Sequence, residues 1–364
     1  MKRYEQKEDN NLLNIGMCML VFAALCLAAC TDNADDNDSR RGDKLRLLSY
    51  SAPFQDVPAS RAVTVPTNFL PFATMYPDAT TSLPGIGVYL TPHEASRLQT
   101  FNYRSDGSWE TEIRVKEDDY YIYGFLPLSA ASSSSIAPNG TSYADGAILS
   151  LTDLPSMSYV DPCVTVGIKS ATSPDASVSV GMGNYQYVTQ EKGHNYIYML
   201  FDHLYAALNF SIRVDATYAA LRTIYIKSMW LKTTAQSVAD VQVVMVPGLD
   251  PISGATYTLK STAGMEFPVI TTTGTGTALT TVYQSIGQMV CFAPSIGTTL
   301  SLVTEYDIYD RKGNLVRAGC RAENALGLPN FLRGQRKTVR LTVNPTYLYQ
   351  LSEPELDNPT ISID

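Results

Sequence analysis

From residue 45 onward the apolar residues recur almost everywhere at a spacing of two. Trp109, Thr111, Ile113 and Val115 alternate with Glu110, Glu112, Arg114 and Lys116, the pattern of a strand with one dry face and one wet face. Ala206, Leu208, Phe210, Ile212 and Val214 alternate with Ala207, Asn209, Ser211, Arg213 and Asp215 in the same way, as do Val339, Leu341 and Val343 with Thr338, Arg340 and Thr342. Tyr120–Leu126 and Tyr196–Phe201 are fuller apolar runs, which predicts strands covered on both faces. Glu305–Arg317 reads as a hairpin turning at Asp310-Arg311-Lys312-Gly313-Asn314, where Gly313 supplies the positive φ of a tight turn. Residues 131–140 and the Ser/Thr/Gly-rich 271–281 predict loops. One short helix, capped at Thr91-Pro92-His93-Glu94, is expected to run through Ser96 or Leu98. Many short strands between turn signals predict an all-β chain of sandwich type, and this length asks for two such domains. The expected boundaries are 45–200 and 201–345, followed by a tail over 346–364.

The N-terminus follows another pattern. Lys2, Arg3 and Lys7 precede an apolar run from Ile15 to Ala29, the layout of a secretory signal. The run is shorter than the roughly 20 residues a helix needs to span a bilayer. Its ending, Leu27-Ala28-Ala29-Cys30, resembles the lipobox of bacterial lipoproteins. That resemblance implies removal of residues 1–29, acylation of Cys30 on its thiol and new amino group, and a lipid tether to a membrane. Residues 30–44 read as a solvated acidic tether. The acidic residues of Thr31–Asp38 resemble the signal that sends some lipoproteins to the outer face of the outer membrane.

Charge and candidate chemistry narrow the function classes. The 364 residues carry a formal net charge of −8, and no basic cluster interleaves with aromatics, so nucleic acid is not an expected partner. Of six cysteines, Cys18 and Cys26 lie in the signal and Cys30 takes lipid. Cys163, Cys291 and Cys320 remain, with Cys291–Cys320 the only bridge worth considering, so the core must be held by burial. His93, His194 and His203 have no metal-pair spacing. The two-glycine fragments Gly181-Met182-Gly183 and Gly274-Thr275-Gly276 read as turns. No catalytic set, metal or cofactor is predicted, and His203 is expected to be a satisfied buried histidine at the domain seam.

Phe201-Asp202-His203-Leu204-Tyr205-Ala206-Ala207-Leu208 resembles the opening of the second domain in fimbrillin-like (Mfa-like) pilus subunits of Gram-negative anaerobes. Gly334–Val343 is similar to that family's last full strand, and Tyr120–Pro127 to its buried aromatic strand. The resemblance implies two tandem transthyretin-like Greek-key β-sandwich domains. It also implies a cell-surface pilus subunit, made as a lipid-anchored outer-membrane precursor and partnered by other subunits.

The resemblance further implies an assembly route. An Arg- or Lys-specific protease removes the first strand, and a strand from a neighbour refills the groove. The candidate cut falls between Arg61 and Ala62, with Arg40, Arg41 and Arg46 as alternatives. The strand that would leave is 45–52, with Leu45, Leu47, Leu48 and Tyr50 as candidates for burial; its alternation is imperfect. At roughly 1.5–3 kcal/mol for each buried side chain, losing four is comparable with the about 5–15 kcal/mol that holds a whole domain. Donor-strand candidates are Tyr347, Tyr349 and Leu351, then Ile361 and Ile363; the plain alternative is a tail strapped along its own domain. A competing reading is a monomeric surface lipoprotein that binds glycans through Trp109, Trp230 and tyrosines. A glycan hydrolase built on scattered carboxylates is the weakest of the three.

Overall fold

The alternation reads through into strands in the computed structural model, which describes residues 44–56, 70–71, 85–91, 98–114, 119–171, 182–188, 196–235, 237–252, 254–260, 263–293, 299–327, 332–347 and 354–363. Cys30, Arg61, Ala62, Tyr349, Leu351 and His194 lie outside the described residues, as do residues 92–97 of the expected helix, His93 among them, while Leu98 belongs to a strand. Asp43–Asp364 forms one compact unit.

The first strands are β1 (Lys44–Ser51), β2 (Gln55–Asp56), β3 (Leu70–Pro71), β4 (Ile86–Thr91), β5 (Leu98–Tyr103), β6 (Trp109–Arg114) and β7 (Asp119–Leu126). Next come β8 (Ser133–Pro138), β9 (Ala147–Pro155), β10 (Met157–Ser158), β11 (Cys163–Ala171), β12 (Gln186–Val188), β13 (Tyr196–His203) and β14 (Ala206–Val214). A single helical turn, α1 (Ala216–Ala219), is capped by the Asp215 carboxylate, which accepts from the Thr217 and Tyr218 amides. After it run β15 (Arg222–Ala235), β16 (Val238–Met245), β17 (Thr256–Lys260), β18 (Ala263–Thr271), β19 (Thr277–Ala278) and β20 (Gln284–Cys291). The last four are β21 (Leu300–Asp310), β22 (Leu315–Ala325), β23 (Gln335–Tyr347) and β24 (Pro354–Ile363).

Pairing arranges the largest sheet as β11-β13-β1-β6-β5-β4-β7-β12. Because β7 also pairs with β11, through Phe125↔Val164 and Leu126↔Cys163, the seven strands from β11 to β7 close into a ring. Each contributes to one core: Ile168, Met199, Leu47, Trp109, Phe101, Val88 and Ile122, in ring order. The opposite face of β4, β7, β11 and β13 packs Tyr89, Phe125, Val166 and Leu200 against a second sheet, β17-β16-β9-β8, through Leu149, Leu151, Val241 and Val243. The remaining strands form a sandwich of β10-β20-β14-β23-β2, with β24 on β23, against β18-β15-β21-β22, with β19 on β15. Its core includes Leu208, Phe210, Ile212, Leu231, Leu302 and Leu341.

The fold is all-β, as expected, and β14 buries Ala206, Leu208, Phe210, Ile212 and Val214 in the phase its sequence predicts. The hairpin of β21 and β22 turns at Gly313 with φ 82, and the Asp310 carboxylate accepts from the Lys312 and Asn314 amides. Two expectations are corrected. Residues 133–138, read as loop, form β8, an edge strand that exposes Ser133 and Ser135, while Ser134 Oγ hydrogen-bonds the Tyr89 hydroxyl at 2.9 Å and the strand's backbone pairs with β9. The Cys291 and Cys320 thiols are free and buried, as is Cys163. The expected boundary at 200/201 is crossed by pairing, since β16 joins β9 through Val238–Met245 and Ala147–Pro155.

Candidate functional site: the first strand and its groove

β1 lies inside a sheet and not at its margin. Arg46–Ser51 runs parallel to Tyr196–Phe201 of β13. On its other edge Lys44, Arg46 and Leu47 oppose Arg114, Glu110 and Trp109 of β6, and Tyr50 and Ser51 oppose Pro71 and Leu70 of β3. Odd positions point into the ring: Leu45, Leu47, Ser49 and Ser51 are all buried. Ser49 sits there because its hydroxyl oxygen accepts from the Trp109 indole N–H at 2.8 Å. Of the four candidates for burial, only Leu45 and Leu47 enter that core. Leu48 and Tyr50 are half-buried, and the Tyr50 ring tilts over Tyr198 at 5.8 Å on the other face. The two adjacent leucines hid this phase in the sequence.

Beyond Ser51 the segment stays fastened. The Ala52 amide donates to the Phe201 carbonyl at 3.0 Å and the Gln55 amide to the Gly334 carbonyl at 2.8 Å. β2 then runs parallel to β23 through Gln55↔Gln335 and Asp56↔Arg336. Arg336 donates from Nε and Nη2 to the two Asp56 oxygens at 2.6 and 3.0 Å, a bidentate fork. That fork holds the Asp56 carboxyl below its ordinary range. Lys44–Asp56 therefore bridges the ring sheet and the sandwich sheet.

Between those two anchors the Phe54 ring stacks on His203, with centroids 3.8 Å apart and planes 16° from parallel. Beneath it, the Asp161 carboxylate lies between His203 Nδ1 and Cys163 Sγ and pairs with both, the thiol donating at 3.0 Å. All three side chains are fully buried, and their donor atoms lie within 4.8 Å of one another. Burial, then the Asp161 charge, push the Cys163 thiol well up, so it stays protonated and is no nucleophile. Burial pulls His203 toward the neutral form, but the charge and hydrogen bond of Asp161 outweigh it and its pKa is raised. Asp202 is pushed up to about 6 by burial. The thiol and the imidazole pair with the same carboxylate oxygen, Asp161 Oδ2, whereas His203 Nε2 is buried with no hydrogen-bond partner among the described residues, so the seam histidine is satisfied at Nδ1 alone. Phe54, Asp56, Asp161 and Arg336 escaped the sequence reading. The only signal was Phe54, a lone aromatic in a polar stretch after β1.

The tail candidates fall in two places. Ile361 and Ile363 sit in β24, antiparallel to β23 through Val343↔Ile361 and Leu341↔Ile363. Ile361 is buried there, and Asn324 Nδ2 donates to its carbonyl at 2.8 Å. Tyr347 ends β23 opposite Pro354. Trp109, a candidate sugar platform, is fully buried in the ring.

These features define an all-β chain with a strand inserted inside its largest sheet. The chain is similar to a fimbrial protein from Bacteroides vulgatus, at 12% identity and TM-score 0.40, covering 78% of this chain and 94% of that one. It is also similar to the fimbrial anchor protein Mfa2 from Porphyromonas gingivalis, at 11% identity and TM-score 0.34, covering 88% and 96%. No protein-family model matches the chain, and no curated protein does.

Proposed function

We propose that this chain is a structural or adhesive subunit of a cell-surface filament whose first strand is a removable place-holder. The observation that carries the reading is the seat of β1. It fills the gap between β13 and β6 in a closed ring, so its loss opens two unpaired edges and a dry groove at once. A cut after Arg61 falls beyond Asp56, the last residue of the segment seen to pair among the described residues, and leaves Lys44–Asp56 held by non-covalent contacts alone. A strand from another subunit then restores both edges by β-augmentation. Acylation at Cys30 tethers the precursor to the outer membrane until the cut separates subunit from lipid. Some part of 346–364 serves as the strand that this subunit donates.

The test is to treat the signal-free protein with an Arg-specific protease, sequence the new N-terminus, and follow mass in solution. A new N-terminus at Ala62 followed by growth into oligomers or fibres is expected. Resistance at Arg61, or a clean cut leaving a stable monomer, overturns the reading. Saccharide affinity in that monomer then favours a glycan-binding lipoprotein.

A further inference from the structure

Resting on that reading, we infer that the strand which refills the groove comes from a different subunit and not from a second copy of this chain. The seats vacated by Lys44–Asp56 specify a side-chain order. Leu45 and Leu47 fill two fully buried aliphatic positions. Ser49 and Ser51 follow at the same spacing, both buried, the first as acceptor for the Trp109 indole. Three residues further an aromatic ring lies flat on His203. Two beyond it a carboxylate meets the Arg336 fork. The incoming strand must offer two aliphatic side chains, two small ones, a planar aromatic and an acid, in that order.

The chain's own tail does not. Placing Tyr347 and Tyr349 in the leucine seats puts Leu351 and Glu353 in the two serine seats. An unpaired carboxylate in place of the wholly buried Ser51 is strongly disfavoured, and phenols overfill aliphatic seats. Starting from Leu348 puts Gln350 in the Leu47 seat and Pro354 in the Ser51 seat, and Leu356 puts Asn358 in the Leu47 seat. The one aliphatic pair at a spacing of two, Ile361 and Ile363, already pairs with β23. Read backward from that pair, the small seats receive Pro359 and Asp357. The groove and the tail of this chain do not fit each other, so assembly is heterotypic at this joint.

The full chain is made with a site-specific protease sequence in place of residues 57–61, cut, loosened in urea, and diluted back with a labelled peptide. The probes are peptide 44–56, its Phe54→Ala and Ser51→Glu variants, and peptide 344–364. The native peptide should exchange in. Each variant should bind about 10-fold more weakly or worse, and 344–364 should fail to displace the native peptide at 100-fold excess. If 344–364 competes as well as the native peptide, or both variants bind as tightly as it does, the inference is overturned while strand exchange stands. If the native peptide itself never enters, the strand-exchange reading falls and takes the inference with it.

Discussion

The Phe54 ring covers the His203 imidazole at 3.8 Å, and it does so from a segment 149 residues earlier in the chain. His203 Nδ1 pairs with Asp161, and a histidine held toward its charged form offers a cation to the ring face. Phe54→Ala should lower unfolding stability by about 1–3 kcal/mol, below the 3–5 typical of a fully buried phenylalanine because this one is half-buried. It should also speed alkylation of the Cys163 thiol beneath, since the lid over the seam is gone. Urea denaturation with mass-resolved iodoacetamide labelling reads both; unchanged labelling of Cys163 would mean that Phe54 does not seal the cluster.

Two buried groups beside that ring set a pH dependence. His203 has a raised pKa in the fold, so its stabilisation is fully present below the ordinary value of about 6.5 and is lost as pH rises through the folded value. Asp202 is raised from 3.8 to about 6, so a cost to the fold appears as pH climbs through that interval and then stays constant. Both slopes have one sign, because the folded chain binds more protons than the unfolded chain over this range. The exposed carboxylates Asp153, Asp240, Asp310 and Glu323 are lowered by hydrogen bonds to their neighbours and act only as pH falls below their ordinary range. The urea midpoint should therefore be higher at pH 5 than at pH 8. Asp202→Asn should raise the midpoint at pH 8 and flatten the difference.

Adjacent leucines in β1 give a direct check on its phase. Leu47 is fully buried against Trp109's strand, whereas Leu48 is half-buried on the opposite face. Leu47→Ala should cost about 2–5 kcal/mol and Leu48→Ala well under half as much. Equal costs in urea denaturation would mean that β1 sits one residue out of register.

How far the sequence carried the fold depended on what each strand pairs with. β14 and the β21–β22 hairpin announced themselves, because alternation against a core and a tight glycine turn are local signals. β8 did not: its pairing is made by backbone groups, and a run of serines carries no burial signal. β1 was visible as an apolar stretch, but its parallel partner β13 lies some 150 residues away, and nothing local encodes such a pairing. The same distance hid the His203 cluster. Asp161 is separated from His203 by 42 residues, and only the Cys163↔His203 register brings them together. Sheet β17-β16-β9-β8, drawn from both expected halves, shows why a boundary read from loop composition does not divide the pairings.

The two buried serines of β1 separate a needed hydroxyl from a tolerated one. Ser49 accepts from the Trp109 indole in a buried contact, so Ser49→Ala removes the acceptor from a donor that water cannot reach and should cost about 1–3 kcal/mol. Ser51 is equally buried, but its hydroxyl finds no hydrogen-bond partner among the described residues. Burying it carries a desolvation cost with nothing in return, so Ser51→Ala should leave stability unchanged or raise it by about 1 kcal/mol. Larger side chains should fail there for lack of space. If thermal unfolding shows the two alanine variants equally destabilised, the hydroxyl of Ser51 has a partner and the seat is polar. If Ser51→Ala is neutral and Ser51→Val is not, size alone sets what the groove accepts at that position.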